Sequence, residues 1–510
     1  MHRYVGITIG PIFDTILDAS SPAALWFASS LFSDAARRTC IEVNHAFSDA
    51  VIYSPYFGQE TQKTGDGIGK FHDRIIFSTQ MYDCQKMQQL ILKVKRDTAA
   101  CFPEQLVNLQ AVEFLERYLQ IHYIVLEEAE LQNQNCILAL SPYLDLLELM
   151  KLFPKDHADN VIRKLLFGEE KSGNVYIKKS PLFQRIREDQ NQLKKDQNGL
   201  WTIEDIACQR GKITEKLKRK DYYAVIAADG DNMGKFLQTL ENHEVTEFSR
   251  GCLLYDGEAC KEIGGFGGMT IYAGGDDLLF LSPVVNAEGK SVFELCAKIA
   301  KLFHDKIEAA SSIQSRQYIP TVSFGIAVQH KKYPLYEALA NARILLDLAK
   351  TGMPQKNNMA IEVLKHSGRS IRAIVPNPEH GVLREVLHLR DEKEKEKTVH
   401  SVIYTLQKFK KLIFILNQKA RNQEIDACAY EHAFMNLFDH SEQDAAEGYF
   451  KAACHTYWKY FVIGHSKICV PQGLNTKKQD TADDADGCLK TFLNLLLLKK
   501  FLLEKEGGEN

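Results

Sequence analysis

The chain lacks the sequence features of several protein classes. Its twelve cysteines include no pair at C-x-x-C spacing, which argues against a zinc knuckle and, over 510 residues, against a disulfide framework. No stretch approaches the ~18 uninterrupted apolar residues of a membrane helix. The first residues have neither the charged-then-apolar build nor the cleavage site of a signal peptide. We therefore expect a cytoplasmic protein without a membrane partner or structural zinc.

The sequence also lacks a large excess of positive or negative charge. The formal net charge is −3, and the composition is 45% hydrophobic and 25% charged, as in ordinary soluble proteins. Any face that binds nucleic acid must therefore be local. At this length the size-based expectation is about three to four domains.

The pattern of strands and helices predicts four regions. Residues 1–90 form an N-terminal palm-like unit and residues 221–370 a second palm, because each has an opening strand, a helix and a hairpin. Residues 91–220 and 371–510 are predicted to be intervening and C-terminal helical domains. The predicted fold class is α+β, with two ferredoxin-like palm domains that share a duplicated layout.

The second palm carries three aspartates at the ends of strands. An apolar strand, YYAVIAA, leads into a DGD sequence, and the strand MTIYA leads into a GGDD turn. Adjacent aspartates repel each other in a tight turn, whereas glycines relieve the backbone and let a large ligand approach. Converging carboxylates suit Mg²⁺ or Mn²⁺. The residues concerned are Asp229, Gly274, Gly275, Asp276 and Asp277.

Two such ions about 4 Å apart can activate a 3′-hydroxyl and stabilise the pyrophosphate that leaves in an in-line displacement. No side-chain nucleophile is then required. An isolated GGDD sequence is more often a solvated turn. Together with the preceding DGD strand end and the later strand SFGIA, it favours metal–nucleotide chemistry.

Several segments resemble the large palm-domain subunit of type III CRISPR effector complexes. They are AADGDNMGKF, YAGGDDLLFL, SFGIAV and YPLYEALANARILLDLAKTGMPQKNNMAIEVLKHSG. The segments YVGITIGPIFDTI, LWFASSLFS and GIGKFHDRIIF resemble the Cmr-type (III-B) branch. The resemblance spans most of the chain. It implies a multi-subunit assembly with guide RNA and target RNA, and conversion of ATP into cyclic oligoadenylate when target RNA is bound.

The resemblance also assigns roles to individual residues. It makes Asp229, Asp276 and Asp277 the ligands of two Mg²⁺ or Mn²⁺ ions. A fourth carboxylate, Asp231, is expected to support the strand end or to act as a secondary ligand. Ser323 is expected to pack beside the base or the hairpin, and an ordinary strand serine is the alternative.

Three further residues match positions after the last palm helix, where the triphosphate sits in the resembling family. They are Lys350, Lys356 and Asn358. For each of them, a solvated helix terminus with a favourable dipole interaction is an equally good interpretation.

Many members of the family begin with an HD nuclease domain, whereas this sequence starts at the first palm strand. His72 and Asp73 form an HD dipeptide, but it falls in a predicted hairpin with no partner histidine at helical spacing. We therefore expect no DNase activity.

His72, Asp73 and Asp66 are candidates for lining a second nucleotide pocket, and hydrogen bonds that only fix the hairpin are the alternative. An acidic pocket suits an ammonium group as well as ribose hydroxyls. Some relatives without the nuclease domain join ATP to S-adenosylmethionine, so that molecule is an alternative second substrate. A non-catalytic RNA-binding scaffold is a rival from a different class. A stand-alone diguanylate cyclase fits poorly with the duplicated layout and the long helical C-terminal region.

Overall fold

The computed structural model describes most of the chain. The described residues are 2–17, 19–58, 69–102, 109–150, 177–184, 201–208, 219–310, 320–353, 355–377, 381–389, 396–438, 440–464 and 483–503.

Ten strands lie in the described residues and form two sheets. They are β1 (Arg3–Gly10), β2 (Val51–Ser54), β3 (Arg74–Thr79), β4 (Gln120–Glu127), β5 (Tyr222–Asp231), β6 (Met269–Gly274), β7 (Asp277–Pro283), β8 (Thr321–His330), β9 (Asn358–Leu364) and β10 (Ser370–Pro376).

Helices in the described residues are numbered in chain order. They are α1 (Ile12–Leu17), α2 (Pro22–Ala46), α3 (Cys84–Ala99), α4 (Leu109–Tyr118), α5 (Cys136–Leu149), α6 (Ile203–Ala207), α7 (Met233–Leu237), α8 (Asn242–Phe266), α9 (Val292–Ala310), α10 (Leu335–Thr351), α11 (Val382–His388), α12 (Glu396–Lys408), α13 (Lys410–Arg421), α14 (Ala427–Met435), α15 (His440–Tyr457) and α16 (Asp483–Leu503).

The two sheets have the same strand order at their centres. The first sheet is ordered β2-β3-β1-β4, and the second contains β6-β7-β5-β8, extended by β9 and β10. In both, an opening strand is followed by helix, hairpin, helix and a fourth strand that returns beside the first. The predicted α+β class with two ferredoxin-like palms is therefore confirmed.

The inner strands of the second sheet are apolar and buried. β5 and β8 are almost entirely buried, and each pairs with a neighbour on both sides. Helix α10 packs across β5, β8 and β9, while α8 and α9 pack against each other beside β6 and β8. One continuous hydrophobic core runs through both palms and into the C-terminal helices.

The predicted domain boundaries differ from the strand pairing. The run FLERYLQIHYIVLEEAELQ lies within residues 91–220, which the sequence predicts to be helical. Only its first part belongs to α4, and IHYIV lies in β4, which pairs with β1 along eight residues. Its β-branched and aromatic residues favour a strand. The first palm thus extends past residue 90 to include β4. The second palm extends past residue 370, because β10 pairs with β9.

None of the helices in the described residues is both long and apolar enough to cross a membrane. Helix α16, which contains the run LLLL, instead packs against β10 and against α11, α12 and α13. Its Asn494 side chain donates a hydrogen bond to the backbone carbonyl of Arg372 at 2.7 Å, so this helix covers the edge strand of the second sheet.

Candidate active site between the two palms

The GGDD turn joins two neighbouring antiparallel strands. Gly274 at the end of β6 pairs with Asp277 at the start of β7, so only Gly275 and Asp276 form the loop. Gly275 has a φ angle of +76°, which glycine adopts without steric cost. A glycine at the first position of a two-residue loop is typical of a tight hairpin. The turn therefore holds the two aspartates side by side at the wall of a cavity.

Strand β5 brings the third aspartate to the same place. It lies next to β7, and Asp229 near its end follows directly after the last residue that pairs with β7. The Asp276 carboxylate rests on Gly230, since a Cβ atom built there would lie 2.6 Å from Asp276 Oδ2. The structure thus brings Asp229, Asp276 and Asp277 together, as the sequence predicted.

The crowding of these carboxylates changes their acidity. Burial, followed by the charge of Asp229, raises the pKa of Asp276 to about 6. Asp277 is open to the cavity but deep between the palms, and burial together with the charges of Asp276 and Asp229 raises its pKa well above the ordinary range. The uncompensated negative charge makes this a place where a cation would be stabilised.

Lys350, in the last turn of α10, already supplies one positive charge there. Its ammonium group donates a short hydrogen bond to Asp229 Oδ2 and another to the Gly230 carbonyl oxygen at 3.0 Å. The lysine predicted to lie near a triphosphate therefore contacts a predicted metal ligand directly.

Asp231 and Ser323 form a separate buried cluster behind the site. Asp231 Oδ2 accepts hydrogen bonds from Thr321 Oγ1 at 2.9 Å, from Ser323 Oγ at 2.8 Å and from the backbone N–H of Asn357 at 2.8 Å. The expected role of Asp231 in supporting the strand end fits these bonds. Ser323 lies on β8, which β5 separates from the hairpin, so it does not pack beside the turn.

Asn358 and Lys356, the other two residues predicted to lie near a triphosphate, differ in burial. The buried Asn358 side chain donates to the carbonyl oxygens of Ala349 at 2.8 Å and Gln355 at 2.6 Å, so its amide hydrogens fix the loop between α10 and β9. Lys356 is exposed in that loop. Asn358 therefore has a supporting position in this structure, while the ammonium group of Lys356 is open to solvent.

Two cavities flank the turn between the palms. One has a volume of about 420 Å³ and is bordered by His72 and Asp276; the other has a volume of about 390 Å³ and is bordered by Asp229 and Arg343. Each is in the size range of small-molecule sites. Four residues line both cavities and form their shared wall: Asp73, Glu148, Tyr272 and Asp277.

His72 and Asp73, which immediately precede β3, line this wall from the first palm. His72 Nε2 lies 3.1 Å from Ser54 Oγ at the end of β2, so the hydrogen bond that would fix the hairpin is present. Burial lowers the pKa of His72 to about 4, which keeps the ring neutral. Asp66 lies outside the described residues. The pocket-lining and hairpin-fixing interpretations of His72 are thus compatible.

The burial of the Asp73 carboxyl group can be tested through the pH dependence of the free energy of unfolding. Burial, and secondly the charge of Glu148, raise its pKa from 3.8 to about 6. A raised carboxyl pKa favours the protonated form in the folded state, so stability falls as the pH rises from about 4 to about 6. Asp73→Asn cannot ionise and should be more stable than the unmodified chain by about 2 kcal/mol at pH 8, with the gain shrinking towards pH 4.

Urea unfolding across this pH range would measure the effect. The exposed Asp305, replaced by asparagine, is the control and should show no such gain. A gain that does not vary with pH, or a loss of stability at pH 8, would contradict the burial of an ionised Asp73.

Gly230 provides a steric test of the turn. A Cβ atom at this position would lie 2.7 Å from Asp276 Cβ and 2.8 Å from Met233 Cγ. Gly230→Ala should therefore displace Asp276 and lower the kcat of a reaction that depends on this carboxylate by up to about a hundredfold, since displacements of about 1 Å can have effects of that size. Gly234→Ala is the matched control, because nothing lies within 4 Å of its Cβ position. Equal activity of the two variants would show that Asp276 is not held against β5.

Some residues at the cavities were not predicted from the sequence. Arg343 lies two helical turns before Lys350 on the same helix, and that spacing was an available signal. Burial lowers its pKa to about 10, opposed first by the charge of Asp277. Glu148 accepts a hydrogen bond from Arg74 Nε at 2.8 Å, a pairing across 74 residues that no local pattern reveals.

Comparison with known proteins agrees with this architecture. Residues 222–360 match the model of the Cas10/Cmr2 second palm domain. The CRISPR system Cmr subunit Cmr2 of Pyrococcus furiosus is 30% identical over 173 residues, which cover 29% of this chain and 19% of that relative. The match thus spans less than a fifth of the relative's length.

Solved structures share the fold across nearly the whole chain. A chain of the type III-B Cmr-beta complex in the apo state has a TM-score of 0.58 at 10% identity, covering 98% of this chain and 82% of that one. The same complex bound to cognate target RNA gives 0.57 at 10% identity, with 98% and 83% covered. A Csm1–Csm4 cassette in complex with pppApA gives 0.50 at 13% identity, with 97% and 69% covered.

The duplicated sheets and the carboxylates between them define a protein built from two palm domains. Within that class, residues 222–360 match the Cas10/Cmr2 second palm domain, and the chain as a whole shares its fold with a chain of the type III-B Cmr-beta complex.

Proposed function

We propose that this chain is the catalytic subunit of an RNA-guided type III CRISPR complex and makes cyclic oligoadenylates from ATP when target RNA binds. The observation that carries the proposal is the convergence of Asp229, Asp276 and Asp277 on the cavities between the palms. Two structures of similar fold support it, since one is bound to cognate target RNA and the other to pppApA.

The donor chemistry of the turn fits a hard divalent cation. Carboxylate oxygens are the ligands that Mg²⁺ and Mn²⁺ prefer, and a cation would offset the repulsion that raises the pKa of Asp276 and Asp277. The Lys350 ammonium group occupies a position against Asp229 where positive charge is favoured. Within the described residues, the side chains as they stand do not form a group of three or more metal ligands. A cation bound to Asp229 Oδ2 would compete with the Lys350 ammonium group for that oxygen.

Asp229, Asp276 and Asp277 would hold the two ions, which when bound would lower the pKa of the attacking hydroxyl and neutralise phosphate charge. In the transfer, a 3′-hydroxyl oxygen bonds to the α-phosphorus of a second ATP. The bond from that phosphorus to the β-phosphate oxygen breaks, pyrophosphate leaves and the hydroxyl proton passes to solvent. Lys350 supplies positive charge beside the same carboxylates, and Arg343 does so from the other cavity.

The acidic wall of the first palm favours one second candidate function. Asp73 and Glu148 border both cavities, and Asp256 borders one of them. Carboxylates can bind the ammonium and sulfonium groups of S-adenosylmethionine as well as ribose hydroxyls. The same carboxylates at the turn would then join ATP to S-adenosylmethionine in place of a second nucleotide.

Mass spectrometry of reaction products tests both candidates. The complex loaded with guide RNA is incubated with Mg²⁺ or Mn²⁺ and ATP, with and without target RNA and S-adenosylmethionine. Oligoadenylates that require target RNA support the cyclase, whereas a product that requires S-adenosylmethionine supports the conjugating reaction. Absence of any product, with RNA binding intact, would identify the chain as a scaffold. Product formation by the isolated chain without RNA would point to a stand-alone cyclase.

A further inference from the structure

Residues 69–72 of the first palm run alongside the strand that carries the GGDD turn. The Gly69 carbonyl oxygen accepts a hydrogen bond from the Ala273 backbone N–H at 3.0 Å, on the outer edge of β6. The segment is also tied to its own palm, because the Phe71 backbone N–H donates to Ser33 Oγ on α2 at 3.0 Å. It therefore links α2 to the catalytic hairpin.

The same segment borders a cavity that a buried carboxylate shares with the turn. Asp256, on α8, is only 1% exposed and lines that cavity together with Lys70, Gly275 and Asp276. Burial raises the pKa of Asp256, and the backbone N–H of Gly275 opposes that rise by favouring the ionised form. The charge of Lys70 acts on Asp256 more strongly than any other opposing influence on its acidity. The His72 ring is also near, 3.7 Å from the Cβ position of Gly275. Lys70, Asp256 and the turn therefore border one cavity between the palms.

Asp256 has an unused hydrogen-bond acceptor that ordinary packing does not explain. Its Oδ1 atom is buried and has no hydrogen-bond partner within the described residues. A buried polar atom without a partner is costly and is retained mainly where another requirement outweighs stability. A position at the cavity wall beside Gly275, Asp276 and Asp277 is such a requirement.

The space around Gly69 shows how closely residues 69–72 approach α2 and β6. A Cβ atom at Gly69 would lie 2.3 Å from Ser29 Oγ and 3.2 Å from Tyr272 Cδ2. The backbone is thus enclosed between α2 and β6, and a larger residue would push the segment away from one of them.

From these contacts we infer that residues 69–72 position the GGDD turn, with Lys70 and Asp256 as positioning residues that act through the Gly275 amide. Nucleotidyl transfer in the second palm then depends on the placement of the first palm. The inference rests on the proposed function for its effect on rate, while its effect on the turn can be measured without activity.

The first experiment compares Lys70→Met, Asp256→Leu and Asp256→Asn in the full complex. Lys70→Met and Asp256→Leu should each lower kcat about tenfold with the KM for ATP changed less than about twofold, because the turn is displaced while binding groups remain. Asp256→Asn retains an oxygen that can accept the Gly275 N–H and should recover most of kcat. Lys70→Met combined with Asp256→Leu should be no worse than the single variants, since both act on the same turn.

Lys451→Met is the matched control, since this lysine lies on α15 in an exposed pair with Glu447 at 2.6 Å. It should leave kcat unchanged. Unchanged kcat in Lys70→Met would overturn the inference. A rise in KM that accounts for the whole loss would also overturn it, because Lys70 would then be a ligand contact.

Hydrogen exchange of residues 269–281 in the full chain separates this inference from the proposed function. Lys70→Met and Asp256→Leu should speed exchange at the Ala273 and Gly275 amides by at least about fivefold. If the unmodified complex makes no product yet exchange responds in this way, the proposed function fails and the positioning stands. If product forms and exchange does not respond, the positioning fails alone.

A second pair of variants covers the case in which Asp256→Leu does not fold. Gly69→Ala should lower kcat and speed exchange at Ala273, because the new methyl group meets Ser29 Oγ. Adding Ser29→Ala removes that atom, which has no hydrogen-bond partner within the described residues, and should restore both measurements. Loss of activity that Ser29→Ala does not relieve would count against the inference.

Discussion

Replacing Asp276 and Asp277 together with alanine should reduce product formation by at least about a thousandfold, because the loss of a single well-placed transition-state contact already has an effect of 10²–10³. Asp276 is the second residue of the loop and Asp277 is the first residue of β7, and both lie at the wall of a cavity between the palms. Without them, only Asp229 remains of the three proposed cation ligands. Unfolding stability should not fall, since both carboxylates have a raised pKa and destabilise the fold when ionised.

The measurement is product yield per complex, alongside guide-RNA and target-RNA binding. The matched control replaces Asp305 and Glu308 on the exposed surface of α9, both of which lie near His304 and are about half exposed. Activity in the turn variant above a few per cent of the unmodified level would show that the reaction takes place elsewhere. Loss of RNA binding would indicate that the substitution affects assembly.

Replacing Gly325 with alanine should produce the largest loss of stability, about 3 kcal/mol or more, because overpacking against backbone is at the upper end of such effects. Gly325 lies in the middle of β8, where α10 crosses the sheet. A Cβ atom there would lie 2.0 Å from the Ala342 carbonyl oxygen and 2.3 Å from the Leu346 backbone nitrogen. Neither atom can move without shifting the whole helix.

Thermal and urea unfolding of the full chain would measure this loss. Gly257→Ala, in the middle of α8 with nothing within 4 Å of its Cβ position, is the control and should be neutral or stabilising by up to about 1 kcal/mol. If both variants have the same stability, helix α10 does not pack on β8 as closely as described. Because α10 carries Lys350 and Arg343, partial folding of Gly325→Ala should also lower activity.

The parts of the site that follow from local patterns could be predicted from sequence. The GGDD turn between apolar strands required only alternation and turn chemistry, and the ferredoxin-like order then placed Asp229 beside it. The glycine of SFGIA is explained by the close approach of α10. These signals are local because each depends on residues within one strand or one turn.

The rest depends on pairings that the sequence does not encode locally. The β4 strand was hidden in a run with helical character, and its partner β1 lies more than a hundred residues earlier. The contact of Lys350 with Asp229 and that of Arg74 with Glu148 join distant segments in the same way. Asn358 was expected near a triphosphate, but its side-chain amide donates to backbone carbonyl oxygens of the loop between α10 and β9. The sequence does not tell an asparagine that binds a ligand from one that fixes a loop.

The shared strand order of the two sheets has a consequence for how the two copies differ. The hairpin β6–β7 has a loop of two residues, whereas the corresponding connection between β2 and β3 spans residues 55–73. In a duplicated architecture, the short loop tolerates no change of length, since one inserted residue would misplace Asp276 or Asp277. The long connection can absorb insertions and deletions at little entropic cost. We therefore expect relatives to vary in length in the connection between β2 and β3 and to keep the two-residue turn between β6 and β7.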